Sequence, residues 1–190
     1  MSKIAVLRLG HRMIRDQRIT THIALVARAY GAHEVIITGD RDDGLIKSVE
    51  KVVERWGGDF TARFEGSWKA VIRNWKNAGG IVIHLTMYGI NLPDIIGEIR
   101  EKWKAGKDLL VIVGGEKVPG EVFGLADYNV AVSNQPHSEV AALATFLDWL
   151  QEGKELTREY PNARLKIIPQ SRGKKVLVLK GSNAHETGNK

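Results

Sequence analysis

The sequence predicts an α/β protein: a mostly parallel sheet with helices on both faces. Apolar runs of strand length alternate with segments of helical period along most of the chain. Such alternation demands crossover connections, which place helices over a parallel sheet. An apolar content of 43% over 190 residues is enough to cover that sheet in one domain.

The first strand is "KIAVLRL" (3–9). A helix over 17–30 follows, its buried stripe formed by Ile19, Ile23, Val26, Ala27 and Tyr30, with Gly31 as its stop. Arg15, Arg18 and His22 fall within about 60° of one another on that helix and make one polar ridge. Strand "EVIITG" (34–39) and a helix over 44–56 come next, then strand "DFTARF" (59–64) and a helix over 67–77. Strand "GIVIHL" (80–85) leads to a helix over 92–104, and "DLLVIV" (108–113) to a short turn near 120–125. After strand "YNVAV" (128–132), the last helix spans 137–150. Pro136 suits its first position, Glu139 complements its positive end, and Val140, Leu143, Ala144, Leu147 and Leu150 form its buried face. Phe146 and Trp149 widen that apolar surface, as in a core helix or a subunit contact. Beyond Gly153, "ARLKIIP" and "KKVLVLK" flank the turn-forming "QSRG" and predict a β-hairpin. The final "GSNAHETGNK" (181–190) has too little apolar content to fold and is expected to be disordered.

The formal net charge of +6 is carried by the carboxyl-terminal end: residues 161–190 hold seven Lys/Arg against one acid, Glu186. Arg8, Arg12, Arg15 and Arg18 form a second local excess, facing only Asp16. Clustered cations fit a polyanionic partner. The absence of cysteine excludes disulfides and thiolate metal sites. No apolar run has the length of a signal peptide core or a membrane span, so the chain reads as soluble and cytoplasmic. The six histidines make no HxH, HxxxH or HExxH pattern, and no metal site is expected.

A phosphate loop is absent: the Gly-Lys pairs at 106, 153 and 173 are followed by Asp108, Glu155 and Lys175. No GxGxxG follows a strand and no GxSxG is present. What remains are three loops beyond the carboxyl ends of strands, where parallel sheets bind ligands: "HLTMYGINLP", "VGGEKVP" and "VSNQPHSE". Gly114 and Gly115 make either a tight turn or a place where backbone approaches a ligand closely.

"RDQRITTHIALVARAYGA", "HLTMYG", "VGGEKVP" and "ADYNVAVSNQPHSEVAALA" closely resemble the archaeal tRNA 2′-O-methyltransferases that act on the T-loop cytidine at tRNA position 56, a branch of the SPOUT superfamily. The resemblance spans residues 3 to 179. It implies a methyltransferase domain over 1–155 with a trefoil knot at about 108–150, a basic hairpin over 156–180 and a homodimer with the last helix at its contact. It also implies S-adenosylmethionine as methyl donor, held by Leu85, by Val113, Gly114, Gly115, Glu116 and Lys117, and by Val130, Val132, Ser133, Asn134, Gln135, Pro136, His137 and Ser138. In SPOUT relatives an arginine of the first motif assists removal of the ribose proton. Anchoring that motif on "ARAYG" puts Leu25 at its arginine position. The role then passes to Arg18, with Arg15 and His22 beside it. Arg8, Arg12, Arg172, Lys174 and Lys175 are the expected RNA contacts. Leu25 also leaves open a non-catalytic RNA-binding protein on the same fold, and a SPOUT enzyme methylating another tRNA nucleotide is a third reading.

Overall fold

The computed structural model describes residues 2–115 and 117–179. Six parallel strands form one sheet: β1 (Ile4–His11), β2 (Glu34–Gly39), β3 (Thr61–Phe64), β4 (Ile81–Asn91), β5 (Leu109–Gly114) and β6 (Tyr128–Ala131). Their order is β3-β2-β1-β5-β4-β6, so β5 is inserted between β1 and β4. Register pairs Arg8 with Val113 and Leu9 with Gly114, which brings the end of the first strand beside the glycine pair.

The strands are buried on both faces, and their residues divide by parity. Ile4, Val6, Val111 and Val113 pack under α1 (Met13–Ala29), α2 (Asp43–Trp56), α4 (Leu92–Lys104) and α6 (Glu139–Gln151). Ala5, Leu7, Leu110 and Ile112 pack on the other face under α3 (Trp68–Asn77) and α5 (Glu121–Leu125). Side chains start three helices. Asp42, Ser67 and Ser138 accept from the backbone N–H of Leu45, Ala70 and Val140.

Three boundaries differ from the sequence expectation. Helix α1 begins at Met13 rather than 17, because the Asp16 carboxylate accepts from both the backbone N–H and the side chain of Arg12 and closes the extra first turn. Helix α6 begins at Glu139, with Ser138 as its cap, so Pro136 precedes the helix rather than opening it. Strand β4 runs on to Asn91, past a ladder irregularity between Leu85 and Ile90, both of which lie opposite Val130.

The expected hairpin is antiparallel but short: β7 (Leu165–Ile167) pairs with β8 (Val176–Val178). Its root is stitched to the carboxyl ends of α1 and α2. The Tyr160 hydroxyl donates to Arg28 O at 2.6 Å, Arg158 donates to Gly31 O, and Arg164 N–H donates to Arg55 O. That root stands at the edge of the sheet where the strands begin. The expected disordered segment 181–190 lies outside the described residues.

Candidate functional site: three loops around one cavity

At the opposite edge, where the strands end, a cavity of about 730 Å³ opens. That volume suits a ligand of cofactor size. Three segments wall it: 85–88 from the β4 irregularity, Val113–Gly115 with Lys117 and Val118 at the end of β5, and residues of the 132–139 stretch leading into α6. Local contacts tie them together. Asn134 donates to Met87 O at 2.7 Å, joining the third loop to the first. A Cβ on Gly114 would overlap the Val118 side chain, so glycine is what lets the second loop fold back on itself.

Of the residues expected to hold the methyl donor, Leu85, Val113, Gly114, Gly115, Lys117, Val132, Gln135, Pro136 and His137 stand together on this wall. Val130 does not: it is a core residue of β6. Ser133, Asn134 and Ser138 lie in the same loop without lining the cavity, and Asn134 and Ser138 are occupied with the loop tie and the helix cap. Glu116 lies outside the described residues.

The ridge of Arg15, Arg18 and His22 is exposed on α1 and contributes nothing to the wall within its own chain. Arg12 is about half exposed and pairs with Asp16 at 2.9 Å. Arg172, Lys174 and Lys175 are exposed on the segment joining β7 and β8. Arg8 is a correction. It was expected to reach RNA from a charged surface cluster, yet it is 1% exposed, because β1 is covered on both faces and position 8 shares the parity of Ile4 and Val6.

Arg8 Nη2 instead lies 3.4 Å from Oε1 of Glu139, the first residue of α6 and part of the cavity wall. Burial lowers the Arg8 pKa, and Glu139 and Asp16 act to raise it. His84 is buried at the same end, its Nδ1 2.9 Å from Asn129 Oδ1 and its ring edge-on to Phe123. Burial pushes its pKa down, favouring a neutral imidazole in the wall. A second buried group lies under the start of α1: His11 Nδ1 meets Thr20 Oγ1 at 2.9 Å, and its Nε2 is 3.9 Å from Asp42. His84, Thr86, Met87, Tyr88, Val118 and Glu139 belong to the three loops singled out in the sequence without being named there as cofactor contacts, and the wall residues Phe123 and Ala142 lie outside those loops. Strand parity assigns Arg8 to the face of Ile4 and Val6, but that this position is covered and has Glu139 as its partner is not readable along the strand.

Among the described residues, no group of three or more His, Asp or Glu side chains is placed to hold a metal ion. No described helix is long and apolar enough to cross a membrane.

Residues 56–177 match the family model described as tRNA ribose 2′-O-methyltransferase, aTrm56. A protein of Thermococcus kodakarensis named tRNA (cytidine(56)-2′-O)-methyltransferase is 61% identical over 176 residues, 93% of this chain and 97% of that one. The chain belongs to the aTrm56 family. A second relative of the same name, from Methanopyrus kandleri, is 60% identical over 177 residues and covered to 97%. The aTrm56 chain also shares its fold with an A. aeolicus TrmH/SpoU tRNA modifying enzyme, at TM-score 0.56 and 12% identity over 82% of this chain and 77% of that one. It shares it too with the SpoU methyltransferase AviRb of Streptomyces viridochromogenes, crystallised with AdoMet, at TM-score 0.55 and 15% identity over 80% of this chain and 57% of that one. These likenesses place the fold of this chain among those of SpoU methyltransferases.

Proposed function

We propose that this protein is an S-adenosylmethionine-dependent methyltransferase that methylates the ribose 2′-hydroxyl of the tRNA T-loop cytidine at position 56. The observation that carries this reading is the convergence of three loops on one cavity in a chain 61% identical to a relative named for that reaction.

The residues present fit the methyl donor. Leu85, Val113, Val132 and Ala142 offer apolar walls to an adenine, and Gly114 and Gly115 leave loop backbone open to a ligand. Val113 to Lys117 and Val132 to His137 would hold the adenosyl part. When bound, the cofactor supplies a methyl group already activated by its sulfonium. The protein's part is then to orient the ribose, exclude water and take the hydroxyl proton.

Arg18, assisted by Arg15 and His22, is our assignment for that work. Because the ridge does not line the cavity of its own chain, it acts at the cavity of a second copy in a homodimer. Ile14, 98% exposed beside the ridge, gives that face an apolar contact. Arg12, Arg172, Lys174 and Lys175 contact the tRNA backbone, and the knot over about 108–150 and a cytoplasmic location belong to the same reading.

The test is transfer of labelled methyl from S-adenosylmethionine to a tRNA transcript. The expected product is one alkali-resistant linkage at cytidine 56. A methyl on a base or at another nucleotide overturns the assignment of target, and tRNA binding without transfer makes the protein a binding module. Arg18→Ala is expected to abolish transfer and spare cofactor binding; full activity in that variant removes Arg18 from the mechanism.

A further inference from the structure

Arg8 is the largest of the fully buried side chains, and the proposed reaction makes no use of it. It sits near the end of β1 opposite Val113, a residue of the cavity wall. Its Nη2 has Glu139 at 3.4 Å, while Nε and Nη1 are buried without a hydrogen-bond partner among the described residues. A Cβ added to Gly115 would stand 3.4 Å from Nη2 and 3.5 Å from Nη1, in ordinary contact, so the guanidinium borders the side of the loop that glycine leaves open. Glu139 and Gly115 both line the cavity, so an anion stands on its wall with a buried cation directly behind it.

Two unmet donors on a buried guanidinium are expensive, and the expense is relieved if an acceptor reaches them when the site fills. A tRNA phosphate is the wrong acceptor. Arg8 is 1% exposed and lies behind Gly115, where a backbone flanked by sugars does not fit, in contrast to the exposed Arg15 and Arg18. A small carboxylate need only pass Gly115, which has no side chain, to reach the guanidinium. Glu139, 24% exposed on the wall, offers the opposite charge next to it.

We propose that Arg8 and Glu139 together read the amino-acid end of the methyl donor, Arg8 taking its α-carboxylate and Glu139 its α-ammonium. This rests on the reading that the cavity takes S-adenosylmethionine. A zwitterion is met by its complement in charge-assisted hydrogen bonds, and the adenosyl end, held by the loops, is given a fixed register. Gly115 is glycine because a larger residue would close the gap to the guanidinium.

The experiment is calorimetric titration with two probes: S-adenosylhomocysteine, and 5′-methylthioadenosine, which lacks the amino-acid end. The unmodified protein is expected to bind S-adenosylhomocysteine the more tightly, by roughly tenfold or more. Arg8→Gln and Glu139→Gln should each weaken S-adenosylhomocysteine by about tenfold and leave 5′-methylthioadenosine unchanged, which also shows that the variants are folded. Decarboxylated S-adenosylmethionine should be insensitive to Arg8→Gln and weakened by Glu139→Gln. Loss of both probes in equal measure from folded variants, or an unchanged preference, overturns the assignment and leaves the cofactor reading standing. An unmodified protein that binds neither probe overturns both. If Arg8→Gln shows no cooperative melt, Glu139→Gln decides alone.

Discussion

Gly39 ends β2 at φ +116°, and a Cβ there would overlap the backbone of His11 in the adjoining strand. The glycine thereby sets how closely β1 and β2 approach where the buried pair of His11 and Thr20 sits under α1. Gly39→Ala is expected to destabilise the protein by about 2 kcal/mol or more, read from the urea midpoint, because the backbone is strained and the obstacle is backbone. Asp42 anchors the same corner. It caps α2 through Leu45 N–H and accepts from the Gln17 side chain at 2.9 Å. Asp42→Ala should lower stability by about 1–3 kcal/mol, measured the same way, with both bonds lost. Gly39 has no sequence signature beyond its type, since a strand-ending glycine is common and the obstacle comes from another strand.

Helix α6 was legible as an element, and its buried face matches the predicted one in part: Leu143, Leu147 and Leu150 are fully buried, whereas Val140 and Ala144 are half-buried and Ala142, Phe146 and Gln151 are buried beside them. Its start was less legible. Proline at 136 satisfied one rule for a first turn, while Ser138, whose hydroxyl accepts from Val140 N–H at 3.1 Å, satisfied the stronger one. Ser138→Ala should cost about 1 kcal/mol of stability and, by loosening the turn that carries Glu139, weaken S-adenosylhomocysteine binding more than 5′-methylthioadenosine binding. The hairpin shows the opposite balance. Its strands were expected from "ARLKIIP" and "KKVLVLK", yet its attachment depends on Tyr160 and Arg158 meeting carbonyl groups of Arg28 and Gly31 far back in the chain. Tyr160→Phe should lower stability by about 1 kcal/mol in urea melts and leave methyl transfer unchanged, because the root lies at the edge of the sheet away from the cavity.

Across the whole molecule, burial holds His11, His33 and His84 below their ordinary pKa of 6.5. Between the lowered folded values and about 6.5 the unfolded chain binds more protons than the folded one, so stability is retained above pH 6.5 and falls as pH drops through that window. The thermal midpoint should decrease from about pH 7.5 to about pH 5.5, and a flat profile would refute it. Asp16, whose pKa is lowered by its bond from Arg12, contributes in a separate window below about 3.8. The charge distribution gives a second test at this scale. Removing residues 161–190 should weaken tRNA binding and flatten its salt dependence, since seven of the cations reside there; unchanged binding would sink the RNA role of the hairpin. By itself the sequence determined the alternation of strands and helices, the parallel sheet and the three loops at its far edge. Those features follow from apolar period and from glycine and proline punctuation, which are local. Only the tertiary structure decided that Arg8 lies inside against Glu139, that the ridge of Arg15, Arg18 and His22 stands off its own cavity, and that the hairpin is rooted at the other edge. Each depends on which distant segments become neighbours once β5 is inserted between β1 and β4, and a burial pattern read along one segment does not contain that order.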